Sequence, residues 1–452
     1  MPQPWANSGV DLHLDLDPAD GRRTGLERAL RDAIRTGRLT PGARLPATRA
    51  LALELGLARN TVAAAYDQLV AEGYLTARRG SGTQVAPLTH TTTPPTPTDH
   101  HPPRPTHDLT PGNPHATAFP TTDWLRATRR ALTTAPTHTH GDPRGRPELR
   151  TALAHHLGRT RGVQATPEHI VITSGYTQAL SLLAHVLPGP IAMENPGLPF
   201  HRDIVTRAGR PVLPLPVDEL GARTPPDHAT AAIVTPAHQY PTGVPLHPTR
   251  RHALTTWART TGALLVENDY DGEFRYDRHP LGAVQGTAPH HVAYAGSAST
   301  TLGPAIRLGW LVLPPHWIDP VVDAKLHTDH HTETLGQLAL ADLITTHAYD
   351  RHIRACRLRY RRRRDLLLQR LHHHTPHGIP AGLHLLLHVP DENAVLTRAA
   401  HHGLRLGALR EHWHAPGPTS RQGIVIGYAT PAEHTYRAAI DALHHTLGNP
   451  TP

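Results

Sequence analysis

The chain has 452 residues and carries 45 Lys+Arg against 37 Asp+Glu, a net charge of +8, yet Lys325 is its only lysine. Chemistry that needs a lysine amine, such as a Schiff base to an aldehyde cofactor, therefore has one candidate at most. A hydrophobic share of 38% is enough for a buried core, which excludes wholesale disorder, and the length predicts two or three domains.

The single cysteine, Cys356, can form no intramolecular disulfide. The opening MPQPWANSGVDLHLDL lacks a basic-then-apolar signal pattern, and no apolar run approaches the roughly 18 residues of a membrane span. The expectation is a cytoplasmic protein with no membrane contact. Histidine is abundant, at 39 residues, but it falls in pairs such as His330-His331 within Thr/Pro/Arg-rich sequence. No Cys/His spacing of a structural zinc site occurs and no H-E-x-x-H, so the bias is read as compositional and no metal is expected.

In chain order, residues 1–21 read as an amino-terminal arm and 22–86 as a first domain. Between Arg22 and Val85, eleven arginines face five acids, so +6 of the total +8 is concentrated there. Leu26, Leu30, Ala33 and Ile34 share one helical face, followed by the Gly/Pro-broken GRLTPGARLP. Residues 47–55 read as a second short helix beginning with Thr48 and Arg49. Gly56 breaks it, and Arg59-Asn60-Thr61 opens a third, with Val62, Ala65, Tyr66 and Leu69 inward. EGYLTARRGSGTQV then reads as two short strands around a tip holding Arg78, Arg79 and Gly80.

That order is a winged helix-turn-helix, in which the start of the third helix meets base edges and an Arg/Gly tip suits phosphates or the minor groove. A small basic domain that binds protein or membrane is the bland alternative. The stretch from Gly25 to Val85 resembles the GntR family of bacterial regulators. The resemblance implies double-stranded DNA as partner, contacted by Arg44, Thr48, Arg49, Arg59, Asn60, Thr61, Tyr66, Arg78, Arg79 and Gly80.

Residues 87–107 read as a linker: from Ala86 to His107, APLTHTTTPPTPTDHHPPRPTH holds seven prolines in 22 residues. As polyproline II it would span up to roughly 70 Å. From 108 to 452, short apolar runs alternate with helical spacing. HIVITSG, PIAMENPG, AAIVTP, ALLVEND and HVAYAGS are bounded by Gly, Pro or Asn, and TQALSLLAHVL lies between two of them. The pattern predicts an α/β domain with a mostly parallel sheet and a ligand site at the carboxyl ends of its strands.

The motifs HGDPRGRPELR, ITSGYTQAL, ENPGLPF, VTPAHQYPTGV, VENDYDGEFRY and YAGSASTTLGPAIRLGWLV, in that order, look like those of fold-type I pyridoxal-phosphate enzymes, the aspartate aminotransferase superfamily. Behind a GntR-type head they give the layout of the MocR subfamily. The resemblance implies a homodimer and a cofactor-like pocket of Gly175, Tyr176, Thr177, His238, Asn268, Tyr270, Ser297, Ser299, Thr300 and Arg307. Ser174 to Thr177 precede a helix whose free amides suit a phosphate, to which Ser297, Ser299 and Arg307 would add contacts.

Two departures bear on chemistry. The family carries its lysine where this chain has Thr300, and a hydroxyl cannot form the imine that anchors the aldehyde. Lys325, 18 residues past Arg307, reads as part of a following helix. The family's aspartate facing the pyridine nitrogen is here Asn268, which supplies no charge to hold the ring proton. Asp269 would take that place only if the alignment slips by one, and adjacent strand residues point to opposite faces. Leu198 stands where relatives often have tyrosine, and GIVIGY lacks the arginine that binds a substrate carboxylate, with Arg421 nearby.

The expectation is a DNA-binding transcription regulator whose aminotransferase-like domain dimerises, performs no catalysis, and holds pyridoxal phosphate or another small anionic or phosphorylated effector without a covalent bond. The rivals are a working pyridoxal-phosphate aminotransferase, an empty remnant of a pocket, and an assembly module with no DNA function.

Overall fold

The computed structural model describes residues 21–78, 82–87, 105–112, 114, 118–134, 139–277, 281–417 and 420–448. Of the expected segments, the arm at 1–20, the linker at 88–104, and the wing-tip residues Arg79 and Gly80 lie outside them. Two compact units are resolved, dividing between Pro102 and Pro103.

The first unit begins with α1 (Arg22–Arg35), α2 (Thr48–Glu54) and α3 (Arg59–Ala71), followed by an antiparallel hairpin of β1 (Leu75–Arg78) and β2 (Gly82–Val85). The apolar spacing read from the sequence becomes the core: Leu26, Leu30, Ala33, Ile34, Val62, Ala65 and Leu69 are all 0% exposed. Truncating Leu30 to alanine in so small a core would cost about 2–5 kcal/mol. Arg44 pairs as a bridge with Gln84, adding the segment before α2 to the edge of the wing.

The second unit is the α/β domain expected from the sequence. It opens with β3 (His107–Asp108), α4 (Thr121–Thr134), α5 (Pro147–Arg161), β4 (Ile170–Thr173), α6 (Tyr176–Val186), β5 (Ile191–Asn195) and α7 (Pro199–Arg207). It continues with β6 (Val212–Asp218), β7 (Gly221–Ala222), β8 (Ala231–Val234), α8 (Pro248–Thr261), β9 (Leu264–Asp269), β10 (Val292–Ser297) and β11 (Gly309–Val312). The eight strands β4 to β11 form one sheet in the order β4-β11-β10-β9-β8-β5-β6-β7. The run from β10 to β6 is parallel, while β11 and β7 pair antiparallel with their neighbours.

The inner strands are apolar at nearly every position because both faces are covered. Ile170, Ile172 and Trp310 pack with Leu149, Leu153 and Leu157 of α5 on one face, and Val171 and Leu311 pack with Leu180 and Leu183 of α6 on the other.

Beyond the sheet come α9 (Pro315–Asp329), α10 (Thr334–Thr345) and the long α11 (Ala348–Arg370). The chain ends in β12 (His384–His388), α12 (Glu392–His401), β13 (Leu404–Arg405), β14 (Gly407–Ala408), β15 (Gly423–Gly427) and α13 (Glu433–Leu447). Here β12, β15 and β14 make a three-stranded sheet. Strand β3 pairs in parallel with β13, so His107, read from the sequence as the last linker residue, belongs to this domain. No helix among the described residues is long and apolar enough to cross a membrane.

Candidate functional site

In the head, α3 turns Val62, Ala65 and Leu69 inward and leaves Arg59 and Asn60, at its first turn, exposed, with Thr61 half-buried. The helix starts without a side-chain cap, so its first amides stay open to an external acceptor. Arg44, Arg49 and Arg78 are exposed as well, and Thr48 is half-buried at the start of α2. The arginines divide into two groups. On α1, Arg31 pairs with Glu72 at 2.8 Å, Arg23 pairs with Glu27 at 2.7 Å, and Arg35 donates to the Tyr74 hydroxyl at 2.7 Å. Arg44, Arg49, Arg59 and Arg78 have no ion pair among the described residues.

Tyr66 departs from expectation. It is 3% exposed, packs in the core, and its hydroxyl donates to the Pro46 carbonyl at 3.0 Å. Its side chain holds the turn ahead of α2 and is not available to DNA.

The second unit holds a cavity of about 250 Å³ whose lining includes Tyr176, Thr177, Asn268, Tyr270, Ser297, Ser299, Thr300 and Arg307. Seven of these lie at the carboxyl ends of β4, β9 and β10 or just beyond them, and Arg307 lies two residues before β11. At one end, α6 starts at Gly175 with no side-chain cap. Gly175 has a φ of +90°, and a Cβ there would stand 3.0 Å from the Arg307 guanidinium, so both the backbone and the close approach demand glycine. Arg307 itself sits at φ 53, a cost for a side chain, and its guanidinium donates to the Ser174 carbonyl. The Ser174 amide donates to Gln178 Oε1 at 2.7 Å and is therefore spent within the protein.

The other end of the cavity is built from β9 and β10. Asn268 is 5% exposed, lines the cavity, and its amide meets no protein partner among the described residues. Asp269 turns to the opposite face, where its Oδ2 accepts from Arg161 Nε at 2.6 Å and from the Tyr294 hydroxyl at 2.7 Å. The alternation of the strand thus places an amide at the cavity and the carboxylate away from it. Thr300 donates its hydroxyl to the Tyr270 carbonyl at 2.6 Å.

Lys325 is 0% exposed and does not line the cavity. Its Nζ donates to Asp329 at 2.8 Å and to Thr332 at 3.0 Å, and burial pushes its pKa down from the usual lysine range. Arg421 is also elsewhere, pairing with Glu219 at 3.2 Å beside a separate cavity.

Leu198, noted from the sequence for replacing a tyrosine, is in the lining, and so are side chains that the sequence did not single out. His201, Tyr240, Leu383 and His384 also line the cavity, and the Tyr176 ring lies against that of His201 with centroids 4.8 Å apart and planes tilted by 55°. The Tyr176 hydroxyl and His384 Nε2 are buried without a protein partner among the described residues. His238 does not line the cavity; its Nδ1 bonds Asp271 Oδ2 at 2.8 Å. With His384 these two form the one group among the described residues whose ligating atoms lie close enough to hold a metal, all within 4.8 Å. Below the cavity, Glu194 accepts from the Thr235 hydroxyl at 2.5 Å and from the Thr235 amide at 3.0 Å, and burial raises its pKa to about 7.

These residues fit pyridoxal phosphate at one end only. The uncapped helix start, Ser297, Ser299 and Arg307 suit a phosphate, whereas among the described residues no amine and no carboxylate lines the cavity.

Residues 23–85 match the model of the bacterial regulatory proteins of the GntR family, and residues 108–414 match aminotransferase class I and II. The chain is 35% identical to the HTH-type pyridoxine biosynthesis transcriptional regulator PdxR of Corynebacterium glutamicum, over 95% of this chain and 97% of that one. It is 32% identical to the probable rhizopine catabolism regulatory protein MocR of Rhizobium meliloti, over 96% and 95%. Among solved structures, an archaeal alanine:glyoxylate aminotransferase has the same fold, with a TM-score of 0.68 at 22% identity over 75% of this chain and 90% of that one. A GntR-type head joined to an aminotransferase class I and II domain, with these identities over nearly the whole length, shows the family: the chain belongs to the MocR-type transcription regulators of the GntR family.

Proposed function

We propose that this regulator reads double-stranded DNA through Arg44, Thr48, Arg49, Arg59, Asn60, Thr61 and Arg78, with Arg79 and Gly80 at the wing tip. Its aminotransferase-like domain acts without catalysis, as a dimerisation and effector-sensing module. In the cytoplasmic homodimer two heads engage two half-sites. The effector is a small phosphorylated compound held without a covalent bond, its phosphate received by the start of α6 with Ser297, Ser299 and Arg307.

The observation that carries this reading is the fate of the single lysine. Lys325 is sealed in a hydrogen-bonded ion pair with Asp329, and the position facing the cavity is Thr300, whose hydroxyl is already committed to Tyr270. A buried amine with its donors satisfied has neither the access nor the free lone pair that attack on an aldehyde requires.

The test is duplex binding by the full chain at several salt concentrations. Affinity should fall linearly on a log–log plot as counterions are released, and Arg59→Ala should weaken binding by about tenfold. Duplex binding that is indifferent to salt and to Arg59→Ala would remove the assignment of the reading surface. Turnover of an amino acid in the presence of pyridoxal phosphate would remove the non-catalytic assignment.

A further inference from the structure

The hydrogen-bond inventory of the ring end selects among phosphorylated ligands. Thr300 has one hydroxyl hydrogen, spent on the Tyr270 carbonyl at 2.6 Å, so it presents only lone pairs to the cavity. Tyr270 has one as well. Its oxygen lies 3.0 Å from the His238 carbonyl and 3.2 Å from His238 Nδ1. His238 Nδ1 stands 2.8 Å from Asp271 Oδ2, and a carboxylate accepts, so that nitrogen carries the hydrogen and takes none from Tyr270. The Tyr270 hydroxyl therefore spends its hydrogen inward, on the His238 carbonyl or on Asp271, and turns lone pairs outward. Asn268 brings an amide that can donate to an unprotonated ring nitrogen. No Asp or Glu among the described residues lines the cavity, so nothing there stabilises a protonated ring.

Resting on the reading of this cavity as a phosphorylated-ligand site, we infer that its ligand is a phosphorylated hydroxypyridine with a neutral ring, bearing an amine or alcohol rather than an aldehyde at the carbon facing Thr300. An aminomethyl or hydroxymethyl group donates to Thr300 Oγ1, and a neutral ring hydroxyl donates to Tyr270. An aldehyde oxygen would meet the Thr300 lone pairs with no hydrogen between them. The site has turned from one that captures a carbonyl into one that accepts hydrogen bonds, and it discriminates against the form that a lysine-bearing pocket retains. No bond is made or broken.

The test is calorimetric titration of the full chain with pyridoxamine 5′-phosphate, pyridoxine 5′-phosphate, pyridoxal 5′-phosphate and inorganic phosphate. The amine and alcohol forms should bind at least about tenfold more tightly than the aldehyde, the usual effect of one unmade buried hydrogen bond. Thr300→Val, which keeps the shape and removes the acceptor, should erase the difference, and Thr300→Ser should keep it. The ultraviolet band of bound pyridoxamine phosphate should be that of a neutral ring, moving to that of a protonated ring in Asn268→Asp.

Equal or tighter binding of the aldehyde, unchanged in Thr300→Val, overturns the inference and leaves the phosphate site standing. So does binding of inorganic phosphate alone. Failure of all four probes to bind overturns the phosphate reading and the inference with it.

Discussion

The two ends of the cavity differ in how far their residues suit a phosphorylated cofactor. At the phosphate end the parts interlock through backbone: Gly175 at positive φ, an uncapped helix start, and Arg307 held in the left-handed region against Ser174. At the ring end the side chains that face inward are Thr300 and Asn268, and the one lysine and Asp269, the next residue along β9, are both bonded elsewhere. A phosphate site depends on backbone shape, which many side-chain changes leave intact. Covalent chemistry depends on one amine at one position and is lost with a single residue.

The sharpest way to break this contrast is to restore the ring end. Thr300→Lys with Asn268→Asp should form a borohydride-reducible adduct with pyridoxal phosphate, read by intact mass, where the wild-type chain is expected to form none. Failure would mean that the framework at the ring end has drifted along with its side chains. Next in size, Arg307→Gln should weaken pyridoxamine phosphate binding by about a hundredfold, the loss of a charge-assisted bond to phosphate. An unchanged isotherm would move the phosphate away from this end.

Glu194 sharpens the comparison through pH. It lies beside a cavity of about 40 Å³ that shares Asn268 and Tyr270 with the larger one, and its carboxyl titrates near 7 in the fold against about 4.5 when unfolded. The folded state therefore holds a proton that the unfolded state releases. Its contribution is fully present below about pH 4.5 and is lost as pH rises through about 7. Glu194→Gln should accordingly gain on wild type by about 2–3 kcal/mol between pH 5 and pH 8. Thermal unfolding across that range reads the difference, and a gap that stays constant with pH would contradict it.

The smallest expected effect lies in the head. Tyr66→Phe removes the bond to the Pro46 carbonyl and should cost about 1 kcal/mol of stability, while duplex affinity at a temperature where the variant is folded stays as in wild type. A selective loss of affinity would return Tyr66 to the DNA surface.

What was legible in the sequence follows the same physics. The helix faces of the head and the strands β4, β5, β8, β9 and β10 could be read because apolar spacing and Gly/Pro punctuation are local. β6 was not legible: Pro214 and Pro216 argue against a strand, and they are tolerated where β6 runs near the sheet edge beside the two-residue β7. Asn268 and Thr300 were legible by position, and alternation along β9 settles Asn268 against Asp269.

Tyr66 was readable as inward from its spacing, and its place on the DNA surface rested on resemblance alone. The pairs that close the site, Thr300 with Tyr270, Lys325 with Asp329 and Thr332, and His238 with Asp271, were not legible. Nor were His201 and His384 in the lining. These contacts join segments far apart in the chain, or side chains whose direction spacing alone leaves open.

The most direct test of the central claim is to saturate the full chain with pyridoxal phosphate, reduce with borohydride, and map the product by peptide mass. The account predicts no cofactor-bearing peptide at residue 325 and an unchanged intact mass. A stoichiometric adduct on Lys325 would contradict it, because an amine sealed behind the cavity at 0% exposure would then have reached the aldehyde.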